Sequence, residues 1–117
     1  MKFLTMVKTL NPETATNPPP ALMQAIMALG MEAGARMTET GGMALAGTVS
    51  TRKGQLVTDG PFAEARELVG GYAIYELDSE AEIVRWTERF VDLHRQHWPE
   101  WDGEVTILNL QQFNMAG

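Results

Sequence analysis

The sequence predicts an α+β fold, one antiparallel sheet with two helices on a single face, and three observations carry that prediction. Short runs of period two are interspersed with two longer stretches whose apolar residues recur every three or four positions. These runs fall in the order strand, helix, strand, short hairpin, strand, helix, strand. Two right-handed crossovers in that order put both helices on the same side of one sheet, the ferredoxin-like arrangement. The strand runs are also apolar on both faces, through Phe3 and Leu4, Met43 and Ala44, and Tyr72 and Tyr75. A sheet face of several hundred Å² left uncovered is unusual for a monomer, so the expectation is a homodimer through the open sheet face.

Each element has a local reason. Lys2 to Thr9 alternates imperfectly, as a strand covered on both sides does. Asn17-Pro18-Pro19-Pro20 stops it and forms a stiff entry to the first helix, expected over Ala21 to about Met37. Its core stripe is Leu22, Ile26, Leu29, Ala33 and Met37, with Met23, Met27 and Met31 as a neighbouring stripe. Gly41-Gly42 is the expected stop, and Met43 to Ser50 the second strand, with Gly47 as a bulge. Arg52-Lys53-Gly54 turns the chain into a short Gln55–Thr58 strand, and Ala63 to Glu67 fits about one helical turn. Gly70 to Leu77 is the next strand. Asp78-Ser79 caps a helix reaching about His97, its core stripe being Ile83, Trp86, Phe90 and Leu93. Trp98-Pro99 breaks it. Glu104 to Phe113 closes the sheet, leaving residues 114–117 as a tail of a single domain spanning 1–117.

Composition narrows the function classes. Forty-four per cent hydrophobic and 21% charged residues suit a soluble domain able to bury a core unaided. With no cysteine, thiolate catalysis, disulfides and cysteine-bound metal are excluded. A net charge of −6 argues against a nucleic-acid partner. No apolar run of spanning length exists, and Met1-Lys2-Phe3-Leu4 opens a strand rather than a secretory signal. The expected location is therefore the cytoplasm, with no membrane partner. No motif calls for a cofactor; Val69-Gly70-Gly71-Tyr72 lacks the lysine and strand-to-helix setting of a phosphate loop.

The chain's most informative stretch is Lys53-Gly54-Gln55-Leu56-Val57-Thr58-Asp59-Gly60-Pro61-Phe62-Ala63-Glu64, followed at once by Leu68-Val69-Gly70-Gly71-Tyr72. Pro61 fixes its own φ and steers Gly60 out of the helical region. Asp59 is placed to accept hydrogen bonds from amides such a corner leaves unpaired. Phe62 brings a large ring to a position set by the turn. This stretch resembles the DGPF group of the YCII-related (YciI-like) proteins. The resemblance implies a dimeric α+β barrel with a site at this corner, and a fold group that includes cofactor-independent isomerases and dehydrochlorinases. It also implies a regulatory alternative, because DGPF-group proteins are often encoded beside sigma factors. The histidine that partners an aspartate in YciI-like proteins lies on or near the first helix; this chain has only Gln24, Glu32 and Arg36 as strongly polar residues there.

The candidate site residues follow. Asp59 is the candidate catalytic base, weighed against a purely structural turn aspartate, which is the commoner role. Phe62, Arg52, Met27 and Trp98 are candidate ligand-binding residues. For Trp98 and the methionine stripe, packing is the preferred reading. Arg66 is a second cation within reach of Asp59 in sequence. His94 and His97 share a spacing used by metal sites but have no placed third ligand, so capping and surface roles are preferred and no metal is expected. Three functions remain open: an acid/base enzyme on a small organic metabolite, a non-catalytic binding or regulatory protein, and a structural dimer without ligand.

Overall fold

In the computed structural model of the chain, which describes residues 1–62 and 68–114, six strands and two helices form the expected α+β arrangement. They are β1 (Lys2–Thr9), α1 (Pro20–Ala33), β2 (Met37–Ala44), β3 (Thr48–Arg52), β4 (Gln55–Asp59), β5 (Leu68–Glu76), α2 (Glu80–His97) and β6 (Gly103–Leu110). Four strands make one antiparallel sheet in the order β2-β5-β1-β6, the ferredoxin-like order. Among the described residues β3 and β4 pair only with each other, as a separate hairpin. The hairpin turn uses Lys53 and Gly54 at φ 52° and 78°, the two left-handed positions that match the twist of the flanking strands.

Several boundaries differ from the sequence expectation: β5 begins at Leu68 rather than Gly70, β6 ends at Leu110 rather than Phe113, and α1 and β2 differ more. The first helix ends at Ala33, not near Met37, because Gly34 adopts φ 58° and its amide bonds back to the Gly30 carbonyl. Gly41 and Gly42 therefore do not stop a helix; they lie inside β2, opposite Tyr72 and Gly71 of β5. Ring and backbone explain the first of these glycines. A β-carbon on Gly41 would stand 3.1 Å from the Tyr72 ring, which lies across the strand. The second strand accordingly spans Met37–Ala44 and breaks before β3, so the expected Met43–Ser50 strand is two segments. The helical turn expected over Ala63 to Glu67, and Arg66 with it, lies outside the described residues.

The second helix begins as its sequence dictates. Ser79 accepts a hydrogen bond from the Glu82 amide at 3.3 Å, and the Glu82 carboxylate accepts one from the Asp78 amide. The core between sheet and helices has two parts. Phe3, Ala33, Tyr75, Leu77 and Ile83 form one; Ala15, Leu22, Trp98 and Trp101 form the other. Alternation along β1 and β5 assigns Phe3, Thr5 and Tyr75 to the helix side and Leu4, Met6, Tyr72 and Ile74 to the other. No helix among the described residues is long and apolar enough to cross a membrane.

Candidate functional site

A cavity of ≈ 420 Å³ lies between the helices and the sheet. Its origin is in the sequence of α1. Leu22, Leu29 and Ala33 are buried, while Met23 and Met27, one position round the helix, remain exposed, Met27 by 67%. These two methionines with Ile26 and Gly30 make one wall. Small residues of the sheet, Gly71 and Ala73, leave the floor low, and Trp86 and Phe90 of α2 form the far wall. A methionine stripe beside a leucine stripe thus gives α1 more apolar width than packing consumes.

The cavity is apolar, with hydroxyls as its main polar groups. No Asp, Glu, Lys, Arg or His lines it among the described residues. Thr5 donates to the Ala73 carbonyl at 3.2 Å, Thr40 to the Tyr72 carbonyl at 2.9 Å, and Thr87 to the Ile83 carbonyl at 2.7 Å. Tyr75 differs. It is 8% exposed, and its hydroxyl has no partner among the described residues. Burial pushes its pKa up, so it remains a proton-bearing donor at neutral pH. A buried hydroxyl left unpaired costs about 1–3 kcal/mol, which is why such groups are rare away from ligand sites. Its ring stacks on Trp86 at 6.5 Å, with Arg36 and Arg89 standing 5.9 and 5.0 Å from the Trp86 ring centre.

Among the five residues singled out by sequence, Met27 lines this cavity and the other four do not. Asp59 and Phe62 sit at the base of the β3–β4 hairpin, where the Phe62 amide donates to the Ala46 carbonyl at 2.9 Å. Gly60, at φ 116°, packs so tightly on Gly47 that a β-carbon there would stand 2.8 Å from the Gly47 α-carbon. The Gly60–Pro61 peptide is cis. Asp59 is exposed, and its carboxylate makes no hydrogen bond or ion pair among the described residues. Arg52 is at the opposite end of the hairpin, paired with Gln55 while Asp59 pairs with Thr48. Four strand steps separate them, roughly 13 Å along the hairpin, too far for both to contact one small ligand. Trp98 is buried in the second core cluster, against Ala15, Leu22 and Trp101.

The histidines also separate. His97 is exposed, whereas His94 is 6% exposed and not at the surface as expected. Its Nδ1 lies 3.0 Å from the Phe90 carbonyl, so that nitrogen donates, and its ring packs 4.2 Å from Trp101. Burial holds its pKa below the usual imidazole range, against the opposing pull of the Phe90 carbonyl. No group of three His, Asp or Glu side chains suited to a metal ion occurs among the described residues.

On the sheet face away from the helices, the Tyr72 hydroxyl donates to the Glu39 carboxylate, which raises the tyrosine pKa. Sequence reasoning missed Tyr75, Trp86 and Phe90 as cavity walls, because at helical and strand spacing they read as ordinary core. The available signal was the surplus width of α1 opposite the small residues Gly71 and Ala73. No curated protein matches the chain. A family model for the YCII-related domain matches residues 1–90, which run from β1 through the first half of α2 and so include most of the cavity wall. With fold, hairpin corner and match in agreement over more than half its length, the chain belongs to the YCII-related family.

Proposed function

We propose that this YCII-related protein binds a small, mainly apolar organic molecule between its helices and its sheet. The observation that supports this is the ≈ 420 Å³ cavity, walled by Met27, Trp86 and Phe90. That volume lies within the usual range of small-molecule sites. The test is a thermal-shift screen of small organic molecules on the purified protein. A ligand present at a hundred times its Kd stabilises by about 2.7 kcal/mol, on the order of 10 °C for a domain of this size. Ala73→Leu, which builds into the cavity floor, should weaken every hit. Hits that bind the variant unchanged, or a screen without hits, overturn the proposal.

A catalytic reading with Asp59 as base has one supporting observation: the carboxylate is exposed on a tightly packed corner, with no hydrogen bond or ion pair among the described residues. Asp59→Asn should then abolish turnover of a molecule bound at this corner, outside the cavity, and leave the fold intact. Retained turnover ends the role of Asp59.

We also propose that the protein works as a homodimer through the open sheet face. Leu108 and Leu110 are exposed there, beside Leu4 and Ile74. The accessible surface is 8674 Å², whereas a compact monomer of 12.9 kDa exposes about 6,300 Å². Part of that excess belongs to the separate β3–β4 hairpin, exposed along nearly its whole length, so the exposed leucine pair is the observation that supports this reading. A monomer mass at micromolar concentration would sink this proposal, and Ile74→Glu should convert a dimer to monomer.

A further inference from the structure

The cavity's polar inventory limits what can enter it. Ligands that carry a charge would meet no counter-charge, since the lining has no ionisable Asp, Glu, Lys, Arg or His. A buried charge without a partner is strongly disfavoured. The three threonine hydroxyls already give their protons to the Ala73, Tyr72 and Ile83 carbonyls, and the Tyr72 hydroxyl gives its proton to Glu39. Two lining donors remain without partners among the described residues: the Tyr75 hydroxyl and the Trp86 indole N–H. Trp86 is half-buried and within reach of water, whereas Tyr75 is buried. Aromatic rings (Tyr75, Trp86 and Phe90) and three thioethers (Met23, Met27 and Met37) supply much of the remaining contact surface, beside aliphatic side chains such as Ile26 and Leu29. Rings and thioethers favour aromatic guests by edge, face and sulfur contacts.

We infer that the cavity takes an uncharged aromatic molecule bearing one oxygen acceptor, and that the Tyr75 hydroxyl donates its hydrogen bond to that oxygen. This rests on the cavity being the binding site, and names the ligand class and the residue that selects it. Tyr75 is a binding residue in this scheme, not a general acid, because no proton acceptor chain leads away from it among the described residues.

The probes that test it are 9-fluorenone, which has one carbonyl, and fluorene, the same tricycle without oxygen. Each is titrated by calorimetry or tryptophan fluorescence into the wild-type protein and Tyr75→Phe. The expected result is a coupling: Tyr75→Phe weakens fluorenone about tenfold relative to its effect on fluorene, the size of one neutral hydrogen bond. A relative change under twofold overturns the donor role while leaving the cavity as a binding site. Failure of both probes to bind the wild-type protein removes the cavity reading and this inference together. Fluorene-9-carboxylate should bind at least tenfold more weakly than fluorene; equal or tighter binding overturns the uncharged class. The variant also reports without any ligand. Tyr75→Phe should melt at or above the wild-type temperature, since it deletes an unpaired buried hydroxyl, and a loss of fold or a clear drop in melting temperature overturns the inference.

Discussion

The space between the sheet and the helices is treated in opposite ways at its two ends. Near the end of α2, Trp98 and Trp101 stack 6.4 Å apart and close on Ala15 and Leu22, with His94 against the Trp101 ring. The Trp101 indole N–H donates to Thr9 at 2.9 Å, so even the polar edge of that ring is satisfied. Under Met23 and Met27 the same interlayer space stays open, and the Tyr75 hydroxyl has no partner among the described residues. Close packing is the default state of a protein interior. One chain that fills one end with indoles and leaves the other as a 420 Å³ void shows that the void is not a general failure to pack. The sealed end is the structural pole, and the open end is where the proposed binding site lies.

If that division is correct, substitutions at the sealed end cost far more than those at the open end. Trp101→Ala should destabilise by about 3–5 kcal/mol, the range for deleting a large buried aromatic side chain. A urea melt that moves by less than about 1 kcal/mol would break the comparison. Gly103→Ala comes next. The Trp101 ring occupies the place where a β-carbon on Gly103 would stand, on the strand position paired with Thr9. The ring must move or β6 must shift, an overpacking cost of about 1–3 kcal/mol.

The contrast between these ends also explains what could be read from the chain. Strand order, helix faces and the Ser79 cap were legible because they depend on local period and on single capping residues. The end of α1 was not, because Gly34 and the Gly41-Gly42 pair look alike in sequence; β5 recruits Gly41 and Gly42 by pairing across Tyr72. Asp59 and Phe62 were legible as a corner, and Gly60 packs closely on Gly47 there. The amide hydrogen bonds expected at the Asp59 carboxylate are not made among the described residues. That Asp59 and Phe62 would not line the cavity was not legible, since the path of a hairpin depends on how it leaves the sheet. Tyr75 carries no sequence mark that separates a satisfied hydroxyl from a free one.

A smaller effect sharpens the comparison through pH. His94 is neutral in the fold because burial lowers its pKa below that of an unfolded histidine, near 6.5. Its contribution to stability is complete above that unfolded value. As pH falls from there towards the lower folded pKa, the unfolded chain takes up a proton that the fold refuses, and stability is lost. Melts between pH 7.5 and 5 should show this decline. His94→Phe should flatten it while keeping the aromatic contact with Trp101, and an unchanged slope in the variant would remove His94 as the cause.

The smallest change is expected at the open end. In a well-filled core, adding three carbons would cost about 1–3 kcal/mol through forced rotamers and backbone shifts. Ala73 lies on the helix side of β5, opposite Thr5 and Thr40, and faces the cavity. There Ala73→Leu extends into free volume and buries new apolar surface at about 25 cal/mol per Å². The two contributions oppose each other, and free volume removes most of the first. Stability should therefore change by less than about 1 kcal/mol in either direction, while the same variant loses affinity for whatever the cavity holds. A large destabilisation would mean the cavity collapses in solution and that its walls pack as tightly as Trp98 and Trp101 do. Unchanged stability with lost binding would place function where the chain declined to fill its own core.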